Sequence, residues 1–302
     1  MTLSTPDLSW LDRTHYPFAS NFFEIDGARM HYVDHGQGAP IVMVHGTGTW
    51  SFVYREMIKV LAPHYRCIAP DQLGFGLSDK PAHASYRPVE HARRLRALIE
   101  HLGLRDITLI VHDFGGPIGL SYAVEQPHNL RALVILNTWM WSLRGEPVAE
   151  LAGLTSRGRL GAVLFQRLNF ELRVLFNLAW GKRSLLSPAL YQHYLKPFSQ
   201  PHDRLVLQAM AGELRDSSPW YDQLWQRREQ IAAIPALLLW GQKDPIFKTR
   251  HLARWQALFA HAQTVTFPQA GHFVQEEARE TLGPLVEQFL ATQRAEQTLG
   301  TP

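Results

Sequence analysis

The sequence predicts an α/β fold in which a mostly parallel sheet lies between layers of helices and is interrupted once by a helical insertion. Three observations predict it. Short, almost wholly apolar runs at 41–44, 107–111, 130–136 and 235–240 have the pattern of strands covered on both faces. Helical stretches separate the runs, so successive strands connect by crossovers rather than by hairpins. From Trp139 to Arg228 this rhythm stops, leaving Leu, Phe, Trp and Arg at helical spacing with no clear buried-strand run.

The elements follow in order. Residues 22–25 and 30–33 flank Asp26-Gly27, a dipeptide that favours a two-residue hairpin turn. The run 41–44 ends in HGTGTW at 45–50. A strand at 65–69 leads into DQLGFGLSD at 71–79, whose paired glycines mark a tight loop and whose Asp71 is expected to shape it. A helix is expected from Pro88 to about His101, with proline in its first turn. The run 107–111 leads straight into His112-Asp113-Phe114-Gly115-Gly116, and sheet-like runs resume at 235–240 and 264–267. The core is therefore expected over 20–138 and 229–295. Residues 139–228 are read as a helical cap over the carboxyl edge of the sheet, a separate domain with its own core being the alternative.

With 302 residues, 46% of them hydrophobic, the chain can bury one large core. The 30 basic and 27 acidic residues leave a formal charge of +3, which implies no nucleic-acid partner. Arg93-Arg94 with Arg96, and Arg227-Arg228, lie in helix-like stretches and read as solvated faces. Cys67 is the only cysteine, so no intramolecular disulfide can form. The first residues carry prolines and acids where a secretion signal needs an apolar run, and no stretch approaches the roughly 20 apolar residues of a membrane helix. A cytoplasmic location without a membrane partner is expected. None of the 15 histidines forms a His-Glu-x-x-His pair, and the loop around Gly74 and Gly76 has neither a Gly-x-Gly-x-x-Gly form nor a P-loop lysine. Neither a metal nor a cofactor is expected.

The candidate chemistry lies at strand ends, where open α/β sheets place their sites. Asp113 stands between an apolar strand and a helix opened by two glycines, the setting of a nucleophile elbow, whose sharp turn exposes its central side chain. Val111 occupies the place where a small residue is usual. An aspartate after a strand also serves as a plain helix cap; its partners favour catalysis. Asp244 follows the strand that ends near Trp240, and His272 follows the strand at 264–267. The order nucleophile, acid, histidine is that of an α/β-hydrolase triad. The backbone N–H groups of Thr47, after the third strand, and Phe114, after the nucleophile, are the expected oxyanion donors.

These residues resemble the haloalkane dehalogenase and epoxide hydrolase branch of the α/β-hydrolases, over about residues 22–290. The likeness is densest at 44–55, 71–81, 112–116 and 240–244. TWSFVYR at 49–55 and LNTW at 136–139 are particularly similar to dehalogenases. The resemblance implies an α/β-hydrolase fold with Asp113 as nucleophile, His272 as base and Asp244 as its partner. It also implies a small apolar organic substrate and water. One departure bears on the leaving group. Where dehalogenases place a tryptophan after the nucleophile and many place an asparagine after His-Gly, this sequence has Phe114 and Thr47. Phenylalanine has no hydrogen-bond donor and a threonine hydroxyl is shorter than an amide. Trp50, Trp139 and Trp141 are candidates to line the pocket and supply a replacement N–H.

Aspartate, with a pKa of about 4, is already ionised at neutral pH and can attack saturated carbon without a base. His272 is then expected to activate water against the resulting ester. Carbon–halogen hydrolysis is the leading expectation. Epoxide opening is an alternative in which Tyr191, Tyr194 or Tyr221 protonates the leaving oxygen, although Gly48 replaces a proline common in that group. A β-lactone decarboxylase would use the same nucleophile. A ligand-binding relative without turnover is the alternative of another class.

Overall fold

The computed structural model describes residues 8–299. Eight strands form one sheet: β1 (Asn21–Ile25), β2 (Ala28–His35), β3 (Ala39–Val44), β4 (Tyr65–Pro70), β5 (Ile107–Asp113), β6 (Leu130–Thr138), β7 (Ala236–Gly241) and β8 (Gln263–Phe267). Their spatial order is β1-β2-β4-β3-β5-β6-β7-β8. Only the β1–β2 and β2–β4 pairs are antiparallel; from β4 to β8 every pair is parallel. Asp26 and Gly27 close the first hairpin with φ of +56° and +72°, the left-handed pair that a two-residue turn requires. All residues of β5 and β7 are buried, as their unbroken apolar runs predict, whereas edge strand β1 alternates with solvent.

Three helices alternate with the central strands: α1 (Arg55–Leu61), α2 (Pro88–His101) and α3 (Gly115–Glu125). From β3 the chain passes through α1 to β4 on one side, and from β5 it passes through α3 to β6 on the other. The gap between the carboxyl ends of β3 and β5 is thus the switch point at which an open sheet leaves a crevice. Thr47 follows β3 and Asp113 ends β5, so the topology brings both to this crevice.

Between β6 and β7 the elements from Pro147 to Gln230 are helical, with two π-helical turns, Ala162–Arg167 and Glu171–Leu175. This segment is pinned to the sheet layer by buried polar contacts. Arg55 grips Glu276 through both terminal nitrogens, Nη2 reaching Oε2 at 2.9 Å, and the Tyr194 hydroxyl donates to the same carboxylate. The Trp50 indole donates to the carbonyl of His193 at 2.9 Å.

The first basic cluster is paired off, and Arg94 within it is buried rather than on a solvated face. Arg93 and Arg94 both engage Asp26, and Arg96 reaches Glu100 at 2.8 Å and Glu125 at 3.0 Å. Asp71 holds its loop by accepting from the backbone N–H of Ser51 and of Leu77, each at 2.8 Å. Among the described residues no helix is long and apolar enough to cross a membrane, and no group of three or more His, Cys, Asp or Glu residues could hold a metal ion.

Candidate active site

Asp113 closes β5 with φ of +51°, a left-handed conformation costing about 1–3 kcal/mol in a residue other than glycine. The surroundings enforce it. The Thr138 hydroxyl donates to the Asp113 carbonyl. Gly46 lies so close that an added Cβ would sit 2.3 Å from the Asp113 side chain, so only glycine fits there. Val111 is accommodated where a small residue is usual because Gly119 faces it; a Cβ on Gly119 would come within 2.8 Å of the valine methyl.

The two Asp113 oxygens have different neighbours. The Thr47 N–H donates to Oδ1 at 2.8 Å, and the Phe114 N–H also donates to this carboxylate. Oδ2 faces His272 Nε2 at 3.6 Å. Burial raises the Asp113 pKa above the ordinary aspartate value, opposed by His272 and the two backbone donors.

His272 Nδ1 donates to Asp244 Oδ2 at 2.8 Å. Asp244 Oδ1 accepts the N–H groups of Ile246, at 2.7 Å, and Phe247, at 3.1 Å. Burial works against protonation of His272, but the adjacent Asp244 carboxylate and its hydrogen bond outweigh burial and raise the pKa. His272 is further fixed by its own backbone: its N–H donates to Ala179 O at 2.8 Å, and its carbonyl accepts from His112 Nε2 at 2.9 Å. Burial, with the His272 ring nearby, lowers the His112 pKa and favours the neutral ring that can make this bond.

The three candidate tryptophans separate. Trp50 is sealed among Trp10, Tyr16 and Phe52 with its N–H committed to His193, and Trp141 packs with Trp225, Trp255 and His251. Trp139 alone of the three touches the elbow, its ring edge-on to Phe114 at 4.9 Å and stacked on Phe247 at 5.0 Å. Its buried indole N–H has no partner among the described residues. The tyrosine hydroxyls are already engaged: Tyr191 donates to Leu172 O at 2.6 Å, Tyr221 to Glu213 O at 2.9 Å, and Tyr194 to Glu276.

Two residues escaped the sequence reading. Asn137 donates to Asp244 Oδ2 at 2.8 Å and is itself held by Gly241, whose N–H reaches its Oδ1 at 2.8 Å. Glu171 extends from the second π-helical turn to accept the Thr47 hydroxyl at 2.8 Å. It is 7% exposed and makes no ion pair among the described residues. Burial pushes its carboxyl up to about 8, opposed by the Thr47 hydrogen bond and reinforced by Asp113. The signal was present in the sequence: Glu171 is the only acid between Glu150 and Asp203.

A cavity of about 230 Å³ opens beside this cluster, lined by Leu143, Pro147, Ile246, Phe247 and His251 among others. Phe247 is its wall towards the site, for the same ring lies 5.8 Å from His272.

Comparison with known proteins gives the family. Residues 39–279 match the family described as alpha/beta hydrolase fold. A haloalkane dehalogenase 2 of Mycobacterium tuberculosis is 34% identical over 279 residues, covering 91% of this chain and 96% of its own. A cis-3-alkyl-4-alkyloxetan-2-one decarboxylase of Shewanella oneidensis is also 34% identical, over 288 residues, covering 92% and 90%. The crystal structure of the haloalkane dehalogenase DatA from Agrobacterium tumefaciens superposes with a TM-score of 0.82 at 27% identity, covering 91% of this chain and 97% of that one. The chain is therefore an enzyme of the α/β-hydrolase family and belongs to its haloalkane dehalogenase-like branch.

Proposed function

We propose that the protein displaces a leaving group from a saturated carbon through a covalent ester on Asp113, in the manner of a haloalkane dehalogenase. The observation that carries this reading is the division between the Asp113 oxygens: Oδ1 accepts the Thr47 N–H at 2.8 Å, while Oδ2 faces His272 at 3.6 Å. Oδ2 attacks, and Oδ1 becomes the ester carbonyl oxygen, already seated on the donors that stabilise an oxyanion. His272, oriented by Asp244, draws a proton from water, and the hydroxide attacks the ester carbon. The alcohol leaves with that proton and Asp113 is regenerated.

Residues 139–228 act as the cap that shelters a small apolar substrate from bulk water. A departing halide has one unengaged N–H beside the elbow, that of Trp139, in place of the usual pair. A strained φ at Asp113 and a fully hydrogen-bonded His272–Asp244 pair favour turnover over ligand binding alone. A second reading, decarboxylation of a β-lactone, is favoured by Glu171, because a buried carboxyl beside Thr47 suits an oxygen leaving group better than a halide.

The test is His272→Phe, exposed to bromoalkane, epoxide and β-lactone panels and followed by intact mass. A stable adduct on Asp113 is expected with a hydrolysed substrate, since attack needs no base and ester hydrolysis does. An unmodified variant, under conditions where the unaltered enzyme turns over, refutes the two-step reading, as does retained turnover in Asp113→Ala.

A further inference from the structure

We propose that Glu171, fixed beside the nucleophile by the Thr47 hydroxyl, is the acid that protonates an oxygen leaving group, so that the substrate is a strained oxygen heterocycle rather than a haloalkane. This rests on Asp113 being the nucleophile.

Four observations converge. First, Thr47 is the hinge of both halves of the site: its N–H holds Asp113 Oδ1 at 2.8 Å and its hydroxyl holds Glu171 Oε1 at 2.8 Å. The side chain at the position where the family resemblance puts a halide donor is thus turned towards a carboxyl group and not towards a leaving halide. Second, that hydrogen bond is the only one Glu171 makes among the described residues, and no cation neutralises it. With Oε1 accepting from Thr47, the proton resides on Oε2, the oxygen left without a protein partner. Third, Gly48 has φ of +67°, which proline cannot adopt, and a Cβ there would lie 3.4 Å from Glu171 Oε1 and 3.3 Å from Leu172. The backbone at the residue that replaces proline after His-Gly-Thr is thus one proline cannot take, and it passes in van der Waals contact with Glu171. Fourth, Tyr191, Tyr194 and Tyr221 spend their hydroxyl protons on Leu172, Glu276 and Glu213, so none is an available acid.

The ionisable group facing Glu171 is Asp113, whose charge favours the neutral acid, as burial does. The step balances as follows. The bond from Asp113 Oδ2 to the ring carbon forms as the ring C–O bond breaks, and its electron pair passes to the ring oxygen. That oxygen takes the Glu171 proton, leaving a carboxylate that the Thr47 hydroxyl stabilises. When water has hydrolysed the ester through His272, the proton on the regenerated Asp113 carboxyl returns to Glu171. A β-lactone and an epoxide present the same C–O bond at saturated carbon: the epoxide oxygen becomes a hydroxyl, and the lactone oxygen becomes a carboxyl group that either persists to the hydroxy acid or returns its proton to Glu171 and loses CO2, its C–C electron pair forming the alkene as the Asp113 carboxylate is expelled.

The experiment compares the unaltered enzyme with Glu171→Gln on a cis-disubstituted β-lactone, a terminal epoxide and a 1-bromoalkane, scoring alkene or hydroxy acid, diol, and bromide. Circular dichroism checks the fold of each variant. Glutamine keeps the acceptor for Thr47 but cannot transfer a proton. We expect the ratio of oxygen-heterocycle to bromoalkane kcat/KM to fall at least 30-fold. A descending limb near pH 8 in the unaltered enzyme should also disappear in the variant. Alkene or hydroxy acid identifies the lactone arm, and diol the epoxide arm. A ratio within threefold of the unaltered value, or an unchanged limb, overturns the role of Glu171. Turnover of the bromoalkane alone overturns the substrate class while leaving Asp113 standing. Turnover surviving in Asp113→Ala, or no turnover of any of the three, overturns both.

Discussion

Replacing Glu171 by glutamine should stabilise the protein, by an amount that grows with pH. The side chain is buried and unpaired with any cation among the described residues, and burial pushes its carboxyl up to about 8 from the ordinary 4.5. Between those values the unfolded chain gives up its proton while the folded chain keeps it, so stability falls as pH rises; above about 8 the folded state carries the full cost of a buried charge. A displacement from 4.5 to about 8 corresponds to about 5 kcal/mol at about 1.4 kcal/mol per pH unit. Glutamine has nearly the same shape and retains the acceptor for Thr47, so the two proteins should be equally stable near pH 4.5. For a chain of this size roughly 2 °C in Tm accompanies each kcal/mol, so the variant should melt up to about 10 °C higher at pH 8.5. Thermal melts by circular dichroism across pH 4.5–9 measure the divergence. Parallel curves would refute the reasoning, because they would mean that the Glu171 carboxyl ionises as freely in the folded chain as in the unfolded one.

Other perturbations probe the remaining parts. Phe114→Trp with Thr47→Asn supplies two N–H donors, and bromide release from short bromoalkanes should rise at least about tenfold, or about 1.4 kcal/mol in barrier. Trp139 already packs on Phe114 at 4.9 Å, so the same variant should lose about 1–3 kcal/mol of stability by overpacking; a folded variant with no gain refutes the view that donors are what a halide lacks here. Arg55→Ala strands the buried Glu276 carboxylate and should destabilise by about 3–5 kcal/mol in urea unfolding, with a loss below about 1 kcal/mol counting against the pair as an anchor of the helical segment.

The parts of this site that could be read from sequence are those whose local backbone has a signature. Asp113 was visible because a nucleophile elbow is a strand, a turn and a helix in immediate succession. Its strain, the N–H from Thr47 and the Gly46 contact all follow from that succession once β3 and β5 are neighbours. Asp244 and His272 were visible because each follows a short buried strand. The tryptophans were not separable, since the direction of an indole depends on packing that only the assembled layers determine. Trp50, Trp139 and Trp141 each follow a buried strand, yet of the three only the Trp139 ring packs on Phe114. Asn137 carries no local signature of a site and becomes meaningful only because β7 brings Gly241 and Asp244 beside it. Glu171 lies 124 residues from Thr47 in the chain, and no local rule connects them.

This difference in legibility reflects a physical division within the site. On the reading proposed above, bond formation falls to the sheet: Asp113 closes β5, and Thr47, Asp244 and His272 stand on the loops that follow β3, β7 and β8. On the same reading bond breakage falls to the helical segment, where π-helical turns lack the regular hydrogen-bond ladder of an α-helix and frequently mark functional positions. A leaving halide needs donors that stay put and carry no negative charge, whereas a leaving oxygen needs one proton delivered at the moment of cleavage. Glu171 fits the second requirement and conflicts with the first, because its ionised form would repel a departing anion. If Glu171 is that acid, the same sheet serves either chemistry, and the π-helical turn that carries Glu171 decides between them.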